Sequence, residues 1–68
     1  MLEDNNLKVS IIMNVHNGEK YIRNAIDSVV EQSFSNWELI IWDNASLDKT
    51  FLLISKFKDK RIKYFKST

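Results

Sequence analysis

The sequence predicts an α/β fold: strand, helix, strand, helix, strand, forming half of a doubly wound parallel sheet. Three features lead there. Short apolar runs of strand length alternate with segments of helical periodicity. The segments between the strands are of helical length, which forces parallel neighbours with right-handed connections. Turn-forming polar residues gather where each of the first two strands would end.

Met1 to Lys8 reads as a polar, acidic lead-in, unlike a secretory signal. Val9 to Val15 follows as the first strand. Its Val9, Ile11, Ile12, Met13 and Val15 are nearly continuous, the pattern of a strand buried on both faces. His16, Asn17 and Gly18 break it, with Asn17 as helix N-cap and Glu19 in the first turn. Glu19 to Gln32 places Ile22, Ala25, Ile26, Val29 and Val30 on one stripe, an amphipathic helix. After the Ser33 to Asn36 connector, Trp37 to Trp42 forms the second strand, and Asp43 to Ser46 a polar turn at its carboxyl end. Ser46 or Asp48 caps a second helix running to about Lys58, its inward face carrying Phe51, Ile54 and Phe57, with Leu53 beside them. Lys58 to Lys60 turns, and Arg61 to Lys66 is a weaker third strand.

Composition narrows the function classes. With 68 residues there is room for one small domain, whose core seldom supplies more than roughly 3–5 kcal/mol. Without Cys there is neither a disulfide framework nor a thiolate metal site, and a single His excludes a His-rich zinc site. The net charge of +1 gives no global attraction for polyanions. Six of the ten basic residues lie between Lys56 and Lys66, but no stacking platform accompanies them, so they read as a solvated helix end and edge strand, not a nucleic-acid surface. No apolar run approaches the roughly 20 residues of a membrane span. Zero Pro and one Gly are few turn residues for a self-contained domain, and the expectation is a piece of something longer.

In an open parallel sheet, ligands bind outside the carboxyl ends of the strands. That rule selects Asn14, His16 and Asn17 after strand one, and Asp43, Asn44, Ala45 and Ser46 after strand two. Their amides, imidazole and carboxylate suit a nucleobase or ribose edge. Neither loop is a glycine-rich phosphate cradle, which disfavours dehydrogenases and P-loop nucleotidases. Each candidate also has a structural reading. Asp43 can form a local Asx turn. Ser46 and Asp48 can cap a helix, Asn17 can close its turn, and His16 can be a plain exposed loop residue. Trp37 and Trp42 read as core or sheet cover.

Three ordered motifs then carry a resemblance. Val9 to Ile22 (VSIIMNVHNGEKYI), Ala25 to Phe34 (AIDSVVEQSF) and Trp37 to Thr50 (WELIIWDNASLDKT) resemble the opening strand and turn, the helix end and the D-D-x-S segment of family 2 glycosyltransferases. The likeness covers about residues 8 to 66. It implies a truncated, Rossmann-like GT-A sheet, with residues 9–68 as an incomplete N-terminal nucleotide-binding portion. Its nucleotide-binding candidates are Asn14, His16, Asn17, Asp43, Asn44 and Ser46. It also implies a nucleotide-diphosphate sugar donor, a glycan or lipid-linked acceptor, and a divalent metal (Mn or Mg) in the full-length parent, bound at a downstream Asp-x-Asp. A later Asp or Glu would serve as base. Such a parent builds surface polysaccharide in the cytoplasm, at the inner face of the membrane.

Departures from the pattern matter. The usual Pro and Tyr after strand one are Asn14 and His16, and the second Asp of D-D-x-S is Asn44. UDP is therefore not imposed as donor. The metal motif and the base are absent from these 68 residues, so the chain alone is expected to be inactive and to bind a nucleoside at most. The alternatives are a stand-alone nucleotide-binding module and a non-catalytic α/β interaction module. In each case the open sheet edges predict dimerisation or aggregation.

Overall fold

The computed structural model describes residues 8–67; the lead-in through Leu7, and Thr68, lie outside the described residues. The order is β1 (Val9–Val15), α1 (Ile22–Val30), β2 (Trp37–Asn44), α2 (Thr50–Ser55) and β3 (Ile62–Ser67). The strands form one parallel sheet in the order β1-β2-β3. Because the order advances one strand at a time, two right-handed crossovers carry both helices to the same face.

Alternation along β2 shows which face that is. Trp37, Leu39, Ile41 and Asp43 point inward and are buried; Glu38, Ile40, Trp42 and Asn44 point the other way. Val15, Ile22, Ile26, Trp37, Leu39, Ile41 and Ile54 make the core. Burying each large apolar side chain contributes roughly 1.5–3 kcal/mol. Beneath the sheet's lower end, the Arg61 guanidinium lies 3.8 Å from the Trp37 ring centroid, held there by Asp59 and the Ser35 carbonyl.

The opposite face is bare among the described residues. Ile12 is 58% exposed, and Trp42 stacks on Phe65 with centroids 5.0 Å apart. The continuous apolar run of β1 therefore does not mean burial on both faces here. It is an edge strand, and only Val15 in it is buried.

Element bounds differ from expectation for local reasons. Residues 19–21 form a turn in which the Gly18 carbonyl accepts from the Tyr21 and Ile22 amides, so α1 starts at Ile22. Asn17 is not its cap: it adopts a left-handed φ of 50° and bonds across to the second loop. β2 runs on through Asp43 and Asn44, pairing Asp43 with Lys66 and Asn44 with Ser67. α2 stops at Ser55, short of Lys58. Its buried positions are Thr50 and Ile54, while Phe51 is 54% exposed and its ring packs on Tyr64. β3 is shifted one residue along, to Ile62–Ser67.

Candidate functional site

Parallel pairing brings the ends of β1 and β2 to one rim, with Val15 beside Asp43. His16 and Asp43 therefore sit at the same edge of the sheet, and the two loops that leave it are bonded together along their length. The Asn17 amide donates to Ser46 Oγ at 2.8 Å, and the Leu47 amide returns a bond to Asn17 Oδ1 at 2.8 Å. Further out, the Gly18 amide donates to Thr50 Oγ1 at 2.8 Å. The Glu19 amide donates to Asp48 Oδ2 at 3.1 Å, and the Lys49 amide to Glu19 Oε1 at 3.1 Å. These bonds satisfy loop backbone donors that helices and strands do not reach.

Gly18, the chain's one glycine, sits where its own loop folds tightly between Val15 and Tyr21. A Cβ there would collide with Val15 Cγ2 and lie 2.9 Å from Tyr21 Cζ. Asp48 orders the start of α2: its Oδ1 accepts from the Thr50 amide at 2.9 Å and also from the Thr50 hydroxyl. Burial raises the Asp48 carboxyl, but these bonds outweigh it and hold it below its ordinary value. Ser46 does not cap the helix; its hydroxyl serves Asn17.

Asp43 is fully buried. Its Oδ1 accepts from the Ser46 amide at 3.0 Å, and its Oδ2 from the Tyr64 hydroxyl at 2.5 Å. Burial pushes this carboxyl up. Bonds from Ser46 and Tyr64, with the Lys66 charge behind them, more than offset that, and it sits below its ordinary value. Tyr64 is pushed up to about 12 by burial, by its bond to Asp43 and by the Asp43 charge. Asp43 is thus turned inward, bracing the bend in which Ala45 takes a left-handed φ of 54°.

The six candidates therefore divide. Asp43 and Ser46 are buried, their polar atoms bonded to Tyr64, to the Ser46 amide and to the Asn17 amide. Asn14, His16, Asn17 and Asn44 are exposed. Asn14 pairs in register with Trp42 on the bare face, and Asn44 with Ser67. His16 Nδ1 lies 2.5 Å from the Asn44 carbonyl, which can only accept, so the proton is on Nδ1. His16 Nε2 then accepts from Asn17 Nδ2 at 3.3 Å, an arrangement consistent with Asn17 Oδ1 accepting from Leu47. Sequence reasoning passed over Tyr64 and Thr50. A Tyr at an inward strand position and a Thr ahead of an apolar stripe are signals for apolar bodies with polar tips.

Among the described residues no group of three or more His, Cys, Asp or Glu side chains could hold a metal ion. Both oxygens of Asp43 are already taken. The residues present do not fit a divalent cation. No helix among the described residues is long and apolar enough to cross a membrane.

Comparison with known proteins gives one family and three relatives. The family described as glycosyl transferase family 2 matches residues 10–68. The chain is 46% identical over 55 residues to WfgD of Escherichia coli, a UDP-Glc:alpha-D-GlcNAc-diphosphoundecaprenol beta-1,3-glucosyltransferase, covering 81% of this chain and 22% of that protein. It is 46% identical over 59 residues to an uncharacterized glycosyltransferase of Haemophilus influenzae (84% and 24%), and 32% identical over 56 residues to TarS of Staphylococcus aureus, a poly(ribitol-phosphate) beta-N-acetylglucosaminyltransferase (79% and 10%). The chain spans about a fifth of the length of the first two relatives.

Proposed function

This chain belongs to the family 2 glycosyltransferases, and on that footing we propose that it supplies the nucleoside-binding rim of an enzyme moving a sugar from a nucleotide-diphosphate sugar to an acceptor hydroxyl. One observation supports the reading above others. At the ligand-binding end of the sheet, the exposed polar side chains include Asn14, His16 and Asn44, and the loops carrying them are braced by their own hydrogen bonds. Loops fixed before the ligand arrives lose less entropy on binding.

The three outward groups suit a base. An imidazole presents a flat face for stacking, and carboxamides offer both donors and acceptors. Asn14, His16 and Asn44 are accordingly the contact residues, while Asn17 braces the loop beside them and the buried Asp43 and Ser46 shape the same site from within. WfgD carries UDP-Glc and a diphosphoundecaprenol acceptor in its name, so a UDP-sugar donor and a lipid-linked glycan acceptor are the first pair to test. Work on such an acceptor suits the cytoplasm at the inner face of a membrane. Residues 9–68 form the nucleotide-binding portion of the domain. Transfer in this reading needs a divalent cation (Mn²⁺ or Mg²⁺) and a carboxylate base, and neither is assigned to the described residues.

Calorimetric titration of the full chain with UDP, GDP and CMP tests the proposal. Binding of one of them, weakened on the order of tenfold by His16→Ala or Asn44→Ala with the melting temperature unchanged, supports it. Affinity untouched by either substitution contradicts it.

A further inference from the structure

β3 brings Lys66 and Ser67 to the rim, and from further back on the same strand Tyr64 reaches it through a run of linked hydrogen bonds. Tyr64 lies on the helix-covered face of β3, partly buried, its ring 4.9 Å from that of Phe51. Its hydroxyl donates to Asp43 Oδ2 at 2.5 Å, and Asp43 Oδ1 accepts from the Ser46 amide at 3.0 Å. Ser46 Oγ accepts from the Asn17 amide at 2.8 Å. Asn17 Nδ2 donates to His16 Nε2 at 3.3 Å, and His16 Nδ1 donates to the Asn44 carbonyl at 2.5 Å.

Asp43 is the hinge of this run because it is a fully buried carboxylate. A buried carboxylate that loses a donor is left with an uncompensated lone pair, and it must turn or draw in water. Either movement shifts the Ser46 amide, and with it the Oγ that fixes Asn17. Asn17 holds a left-handed backbone and bonds His16 Nε2, so its displacement removes one of the two hydrogen bonds that orient the ring.

The structure assigns Tyr64 as a positioning residue for the nucleoside rim: from the third strand, through Asp43, Ser46 and Asn17, it helps set the orientation of His16. It touches no ligand. Its effect on nucleotide binding rests on the function proposed above, while its effect on His16 does not.

Two substitutions in the full chain separate this from general stabilisation. Tyr64→Phe keeps the ring and deletes the hydroxyl, whereas Phe51→Leu removes the ring packing and spares the hydroxyl. The readouts are the Ser46 amide and the His16 ring nitrogens by ¹⁵N NMR, with UDP as the binding probe. Tyr64→Phe is expected to move the Ser46 amide, to shift the His16 Nε2 signal as its bond to Asn17 is lost, and to weaken UDP on the order of tenfold. Phe51→Leu is expected to lower the melting temperature and leave the His16 and Ser46 signals in place. If Tyr64→Phe fails to fold, Ser46→Ala cuts the same run and must shift the His16 Nε2 signal. Unmoved His16 signals in Tyr64→Phe, or equal movement in Phe51→Leu, overturn the assignment. A wild-type chain that binds no nucleotide refutes the nucleoside reading, and the His16 signals still decide the role of Tyr64.

Discussion

Asn17 lies in a motif shared with sugar transferases, yet the structure uses it as a brace, and substitution distinguishes the two roles. Its φ of 50° falls where Asn is tolerated and Ala pays roughly 1–2 kcal/mol. Its Oδ1 also accepts the Leu47 amide at 2.8 Å, a bond contributing about 1 kcal/mol. Asn17→Ala loses the bond and carries the strain that Asn partly escapes. The expected cost is about 2 kcal/mol, or a fall in melting temperature of roughly 8–16 °C for a domain of this size. Asn17→Gly relieves the strain but loses the bond and adds backbone entropy, so it costs about 1–1.5 kcal/mol. Asn17→Asp keeps the acceptor and loses only the exposed bond to His16 Nε2, so it stays within about 1 kcal/mol of wild type. Urea unfolding followed by circular dichroism gives all three values. An Ala variant as stable as wild type, or a Gly variant less stable than the Ala variant, refutes the reasoning.

Gly18→Ala drives a Cβ into Val15 and Tyr21 and is expected to cost about 1–3 kcal/mol by overpacking; unchanged urea stability would contradict that contact. Leu39→Ala empties the centre of the sheet and costs about 2–5 kcal/mol, enough to consume most of a small core's stability; a near-wild-type melt would show the core lies elsewhere. Acid is expected to unfold the chain in steps set by carboxyls held low in the folded state. Asp59 is lowered to about 2 by its hydrogen bonds from Arg61, and Asp43 and Asp48 are lowered too. The unfolded chain binds more protons at these sites, so stability is full above about pH 4 and is lost as pH falls from there toward 2. A pH titration of the melting temperature that stays flat from 5 to 2 opposes this. Unpaired edges on β1 and β3 and the exposed Ile12, Trp42 and Phe65 predict that the isolated 68-residue chain self-associates at micromolar concentration; a monomeric elution volume with a sharp cooperative melt would count against it.

Element order and parallel pairing were legible because they rest on local patterns: the stripe of Ile22 and Ile26, and the strand-length runs around Ile11 and Ile41. What escaped depends on partners far along the chain. Asn17 looks like a helix cap until Ser46 and Leu47, about thirty residues away, claim it. Asp43 reads from sequence as a nucleotide-binding candidate or an Asx-turn residue, yet it is buried because Tyr64 and the Ser46 amide supply its partners. Thr50 displaces Phe51 from the core for the same kind of reason: its hydroxyl accepts the Gly18 amide, so a polar residue fills a buried position without an unmet bond. The apolar run of β1 predicted cover on two faces, and the structure provides cover on one.

Mapping amide and side-chain shifts by NMR while UDP, GDP or CMP is added to the full chain tests most directly whether the rim receives a nucleoside. Movement confined to Asn14, His16 and Asn44 and their immediate neighbours, with Leu39 and Ile26 still, is the predicted outcome. Spectra that do not change, or changes gathered instead around Arg23 and Lys56 in the groove between the helices, would show that the rim is not where the nucleotide goes.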